Sequence, residues 1–195
     1  MLSFYFMRRS TIICLLLCVV LLSSCGGSAS KNSRNSESLD TLYTPRYASG
    51  FEMFRHGKST MIHIINPWQG ADSVSQWIFL SRDGGKAPAD FDGITVPTPI
   101  RKAVCMSSSY VAFLEALEAD TIIRAISGTN FIYSKQIRER IAAGEIVETG
   151  YDNSLNVEQV VALQPEGVFL YGITGENALT AKLNELGLQT IDIFD

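Results

Sequence analysis

Residues 101–117 read Arg101-Lys-Ala-Val-Cys-Met-Ser-Ser-Ser-Tyr-Val-Ala-Phe-Leu-Glu-Ala-Leu117. A short β-rich apolar run at 102–106 gives way to the polar turn Ser107, Ser108 and Ser109. Val111, Leu114 and Leu117 then follow at helical spacing. The same strand, turn and helix rhythm recurs to the end of the chain. Residues 121–126 form the next apolar run, Ser127, Gly128, Thr129 and Asn130 its turn, and Ser134 caps a helix carrying Ile137 and Ile141. Residues 145–148 form a short strand and 150–154 a turn. Asn156 with Gln159 makes an Asn-x-x-Gln variant of the capping box ahead of Val160, Val161 and Leu163. Residues 168–171 read as a buried strand and 172–175 as a turn. Ala178, Leu179, Leu183 and Leu186 mark a helix that Gly187 stops, before a last strand at 188–194.

This alternation places the chain in the α/β class, as a mainly parallel βαβ sheet lobe, Rossmann-like in build. Parallel neighbours need a crossover, and a helix is the usual one. Ligands in such sheets sit beyond the carboxyl ends of the strands. Ser, Thr, Asn, Tyr and Gly stand at those ends here.

Three stretches also carry a family resemblance: residues 101–117, Asn156-Val-Glu-Gln-Val-Val-Ala-Leu-Gln-Pro-Glu-Gly-Val168, and Leu183-Asn-Glu-Leu-Gly-Leu-Gln-Thr-Ile191. Together they resemble the amino-terminal lobe of class III substrate-binding proteins, which serve ABC importers of ferric siderophores, haem and cobalamin. The resemblance covers residues 101–195 and is most specific around 158–165. It implies a small-molecule ligand and an ABC permease as partner; no cofactor is expected, and no catalysis is expected because the serine turn has no histidine partner. It also implies that a long backbone helix and a second lobe are missing from this chain.

The amino terminus carries targeting signals. Arg8 and Arg9 precede an apolar run at 12–22, then Leu22-Ser-Ser-Cys25 and two glycines. This reads as a secretory signal peptide over 1–24, its apolar core shorter than the ~20 residues of a spanning helix. Leu-Ser-Ser-Cys resembles a bacterial lipobox, which implies acylation of Cys25 and a body lipid-anchored outside the cytoplasm, in the periplasm. An uncleaved anchor is the alternative. Residues 25–50, rich in Ser, Gly and Asn, read as a flexible tether.

Residues 51–99 contain strand-like runs at 51–55, 61–65 and 76–80, with turn signals at His56-Gly57 and Asn66-Pro67. They predict a small antiparallel β subdomain, joined through a turn-rich passage at 83–99 to the α/β lobe over 100–195. Sixteen basic and twenty acidic residues give a net charge of −4, and loss of Arg8 and Arg9 makes the body more negative. Nucleic acid, which needs a basic surface, is therefore not an expected partner. Cys14 and Cys18 leave with the signal and acylation blocks Cys25. Cys105 is then alone, a small buried hydrophobe in a strand.

The candidate site residues follow the strand ends. Ser107, Ser108 and Ser109 would offer hydroxyls and backbone N–H groups to a polar or anionic group; the alternatives are simple helix capping and a serine nucleophile. A lipoprotein hydrolase built on that turn lacks a Gly-x-Ser-x-Gly motif, and both histidines, His56 and His63, lie upstream. Those histidines have no Cys or His partner at metal-ligand spacing, so they read as structural or surface residues. Trp68 and Trp77 read as packing residues. No Gly-x-Gly-x-x-Gly and no phosphate loop follows a strand. Tyr110, Phe131, Tyr133, Tyr151 and Tyr171 lie in or beside the turns, either lining one mouth or packing between loops. The resemblance implies that Thr129 with Asn130, the turn Tyr151-Asp152-Asn153, and Tyr171 touch ligand. It implies that Glu158 pairs with permease arginines, whereas its position alone is explained by the helix dipole. An inactive truncated fragment is the remaining alternative.

Overall fold

Residues 103–193 build a five-stranded, wholly parallel sheet because each apolar strand is followed by a helix that returns the chain to the same edge. The computed structural model describes residues 40–151, 154–172 and 178–193. All of these fall within the unit Leu39–Asp195. The strands are β6 (Ala103–Cys105), β7 (Ile123–Ile126), β8 (Val147–Glu148), β9 (Gly167–Tyr171) and β10 (Thr190–Ile193), in the order β10-β9-β6-β7-β8. Their helices are α1 (Ser108–Ala116), α2 (Lys135–Ala142), α3 (Val157–Leu163) and α4 (Ala178–Glu185).

Side-chain alternation along the strands divides the apolar residues between two faces. Cys105 and Ile126 pack with Tyr110 and Val111 of α1 and Ile137 of α2. Val104, Ala125, Val168 and Leu170 pack with Val160 of α3 and Leu183 of α4. The sheet is thus covered on both sides, as a parallel sheet must be. Local signals set the helix ends. Ser107, Ser134 and Asn156 each accept a hydrogen bond from a first-turn N–H, with Asn156 taking that of Gln159 at 3.0 Å. Gly187, at φ 76°, ends the turn after α4. At the opposite edge of the lobe, Arg140 of α2 donates to the carbonyls of Asp120 and Ile123 at 2.9 and 3.0 Å, tying that helix to the start of β7.

A second five-stranded sheet precedes this lobe: β1 (Asp40–Tyr43), β2 (Phe51–His56), β3 (Ser59–Ile65), β4 (Ser75–Arg82) and β5 (Ile94–Thr98), paired in chain order. Met61 lies opposite Phe79, and with Val96 these are its buried apolar residues. Two expectations are corrected here. The tether assigned to 25–50 runs into β1, because pairing with the edge of β2 satisfies backbone groups although all four β1 side chains stay exposed. The passage at 83–99 contains β5, which runs parallel to β4, so the sheet is antiparallel in all but that pair. Pro97 is compatible with β5 because this is an edge strand, where one missing N–H leaves no ladder bond broken.

Among the described residues, no helix is long and apolar enough to cross a membrane. Residues 1–24, with Cys25, lie outside the described residues, as do Asp152 and Asn153.

Candidate ligand-binding site

The strand order decides where a crevice opens. From the central strand β6 the chain steps outward through β7 and β8, then returns to the other side of β6 for β9 and β10. The turns after β6 and β9 therefore leave toward opposite faces, which is the arrangement that creates a cleft at the carboxyl ends of a parallel sheet.

After β6, the Ser107 hydroxyl accepts from Ser109 N–H at 3.2 Å and caps α1. Ser108 is exposed and Ser109 half-buried. Tyr110 is a correction: it is 2% exposed, its ring 6.5 Å from that of Phe169, and its hydroxyl donates to Leu170 O at 3.1 Å and Ile193 O at 3.4 Å. It belongs to the core beneath the mouth, because the third position after the cap faces the sheet. Leu117, placed in the buried stripe by its spacing, is 75% exposed, since α1 ends at Ala116.

After β7, Ser127 is buried, Gly128 takes a left-handed conformation at φ 81°, and Thr129–Phe131 forms a 3-10 turn. Asn130 and Phe131 face solvent. After β8, Gly150 repeats the left-handed geometry, again at φ 81°, and presents Tyr151, half-exposed. These two turns meet over Gly128. A Cβ there would lie 3.1 Å from Phe131 Cδ2 and 3.1 Å from the Tyr151 hydroxyl, so both rings close on the bare glycine. Tyr171, at the end of β9, is also half-exposed. β9 lies two strands from β7, or roughly 10 Å at ordinary strand spacing. Tyr133 is the most exposed of the group, and it lines a groove of about 360 Å³ with Phe131, Ser108, Ser109 and Glu115. The Ser134 hydroxyl donates to Glu115 on the wall of that groove.

One residue that the sequence did not single out organises these turns. Glu148, the last residue of β8, accepts from Gly128 N–H and Gly150 N–H through one oxygen, each at 2.9 Å. Its other oxygen accepts from Thr129 N–H at 2.6 Å and the Thr129 hydroxyl at 2.7 Å. Partial burial alone would raise its pKa, but these four bonds to the ionised form outweigh it and hold the carboxyl below its ordinary value of 4.5. The stabilisation this gives is therefore present above that value and is lost as pH falls through the lowered pKa.

The other reactive groups are accounted for structurally. The His63 ring stacks on Trp77 at 4.1 Å and meets Ser75 Oγ at 2.8 Å, while His56 stands edge-on to Phe79, all within the first sheet. Ser107 serves as the cap of α1, and both histidines stand in the first sheet. Cys105 is fully buried, and desolvation pushes its thiol up to about 12. A maleimide at pH 8 is expected to leave Cys105 unmodified in the folded protein and to label it on unfolding. Because the folded pKa is raised above the thiol's ordinary value of 9.0, stability is expected to fall as pH rises from 9.0 toward about 12. Rapid labelling of the native protein at pH 8 would contradict this burial.

Glu158 is exposed on the first turn of α3, and Asn156 N–H donates to Thr149 O at 2.8 Å, tying that helix start to the β8 turn. The glutamate thus stands on the same rim as the candidate mouth, on the α3 side of the sheet.

A model of the periplasmic binding protein family matches residues 103–192, which is β6 to β10 almost from end to end. Over this segment the chain is similar to periplasmic binding proteins. An uncharacterized lipoprotein of Methanocaldococcus jannaschii is 23% identical over 206 residues, covering 91% of this chain and 49% of that protein. A second uncharacterized lipoprotein of that organism is 29% identical over 148 residues, covering 73% of this chain and 36% of its own length. The chain spans at most about half the length of these relatives. A crystal structure of a periplasmic haem-binding protein from Pseudomonas aeruginosa is 18% identical, covers 49% of this chain and 32% of that one, and superposes with a TM-score of 0.39.

Proposed function

We propose that this chain is the lipid-anchored, ligand-binding component of an ABC importer, capturing a ferric siderophore, haem or cobalamin without covalent chemistry and delivering it to a membrane permease. The observation that carries this reading is the pair of rings, Phe131 and Tyr151, closed over Gly128 at the carboxyl end of the sheet, with Tyr171 exposed across the switch point. Aromatic faces with a hydroxyl at one edge suit a large ligand that is apolar over its face and polar at its rim. Thr129 and Asn130 supply polar groups beside them, and Ser108 and Ser109 line the adjoining groove.

The anchor is the acylated Cys25, and the lipoprotein designation of the two archaeal relatives supports it. Labelled palmitate is expected to enter the wild-type chain in a bacterial host and to be lost in Cys25→Ser. Titration of the purified chain with haemin, cyanocobalamin and ferrioxamine B, read by fluorescence quenching, is expected to saturate with one of the three. Failure of all three, both with this chain and with a version carrying a second lobe, would overturn the ligand assignment.

A further inference from the structure

Glu148 has no spare capacity as a ligand. An ionised carboxylate is an acceptor only, with roughly four lone-pair sites. All are engaged, by two N–H groups and a hydroxyl of the β7 turn and one N–H group of the β8 turn. The last ladder bond between these strands is Thr149 N–H to Ile126 O at 3.0 Å. Past that point the turns are held internally, by Phe131 N–H to Gly128 O and by Ser154 N–H to Tyr151 O. Among the described hydrogen bonds, those of Glu148 are what cross from one turn to the other. Gly128 lies at one end of this bridge and is also the residue on which both rings close.

We infer that Glu148 is a positioning residue for ligand capture: it clamps the turns after β7 and β8 together, so that Phe131 and Tyr151 stand as one wall over Gly128. This rests on the ligand-binding reading above. Glu148 does not itself touch ligand; it acts through the rings. Glutamine is nearly isosteric but replaces one acceptor oxygen with a donor NH2, so two of the four donors lose their acceptor.

The test compares wild type with Glu148→Gln in the full chain purified in detergent. In the absence of ligand, amide exchange at Gly128, Thr129 and Gly150 is expected to accelerate by about tenfold or more, while amides of β6 and β9 are unchanged. The proton contact between Gly128 Hα and the Tyr151 ring is expected to weaken with it. Unchanged exchange and an unchanged ring contact would overturn the clamp. For whichever of haemin, cyanocobalamin and ferrioxamine B binds, Glu148→Gln is expected to weaken affinity about tenfold. In a Tyr151→Ala background the same change is expected to cost less than about twofold, because the ring it positions is already gone. Fully additive losses would show that Glu148 acts elsewhere. Thr129→Val, which removes the hydroxyl donor, is expected to accelerate ligand-free exchange at Gly128 and Gly150 in the same direction but less than Glu148→Gln does, and guards against misfolding of the glutamine variant. If wild type binds none of the probes, the ligand-binding reading fails, whereas the exchange and ring-contact measurements still decide whether the clamp exists.

Discussion

Replacing Tyr110 by alanine is expected to cost about 3–5 kcal/mol of folding stability, the range for emptying a buried aromatic site. For a domain of this size the melting temperature would fall by on the order of 10 °C. The ring is packed in the cluster that contains Cys105, Ile126, Ile132 and Ile137, so its removal opens a cavity between α1 and the sheet. The hydroxyl adds a second effect by donating to Leu170 O and Ile193 O near the carboxyl ends of β9 and β10. Tyr110→Phe keeps the packing and removes the donor, and is expected to cost about 1 kcal/mol. Denaturant melts followed by circular dichroism separate the two. If alanine cost under about 1 kcal/mol and instead weakened ligand binding, Tyr110 would belong to the mouth and not to the core.

Tyr110 also illustrates what the sequence could reveal. Its neighbours follow polar-turn logic, and an aromatic residue beside three serines reads as part of a mouth. Its true place depends on the rotation of α1, where Tyr110, Val111 and Leu114 face the sheet and Leu117 falls past the helix end. Features decided within a few residues were legible: the Ser134 and Asn156 caps, the stop at Gly187 and the strand-turn-helix rhythm itself. β1 and β5 were not, because both are edge strands defined by a partner more than by their own side chains. Pro97 is a turn signal when taken with its sequence neighbours alone, and it is the edge position of β5 that makes it compatible with a strand. Glu148 was hidden for a related reason. An acid closing a two-residue strand is unremarked until β7 and β8 are adjacent and the Gly128-Thr129 amides are seen to converge on it.

Glu158→Gln is expected to weaken docking to the permease by roughly 2 kcal/mol or more when the carboxylate is desolvated against an arginine, since removing one partner strands the other charge. Ligand affinity is expected to stay within about twofold, or roughly 0.4 kcal/mol. The side chain is exposed on the first turn of α3, with no hydrogen bond to the described residues, whereas the ring wall is built from the turns after β7 and β8. Folding stability should change little as well. The glutamate's interaction with the start of α3 is worth about 0.3–1 kcal/mol at an exposed site, and the Asn156 cap remains. Tyr171→Ala is expected to do the reverse, lowering ligand affinity by about tenfold, or 1.4 kcal/mol, with docking intact. The measurements are ligand titration and co-purification with the permease in nanodiscs, using a protein that carries both lobes. Loss of ligand binding in Glu158→Gln, or docking and uptake equal to wild type, would remove Glu158 from the interface. The nearness of this helix start to the β8 turn makes the comparison demanding, because a rearrangement of α3 would disturb both functions together, while loss of one charge disturbs docking alone.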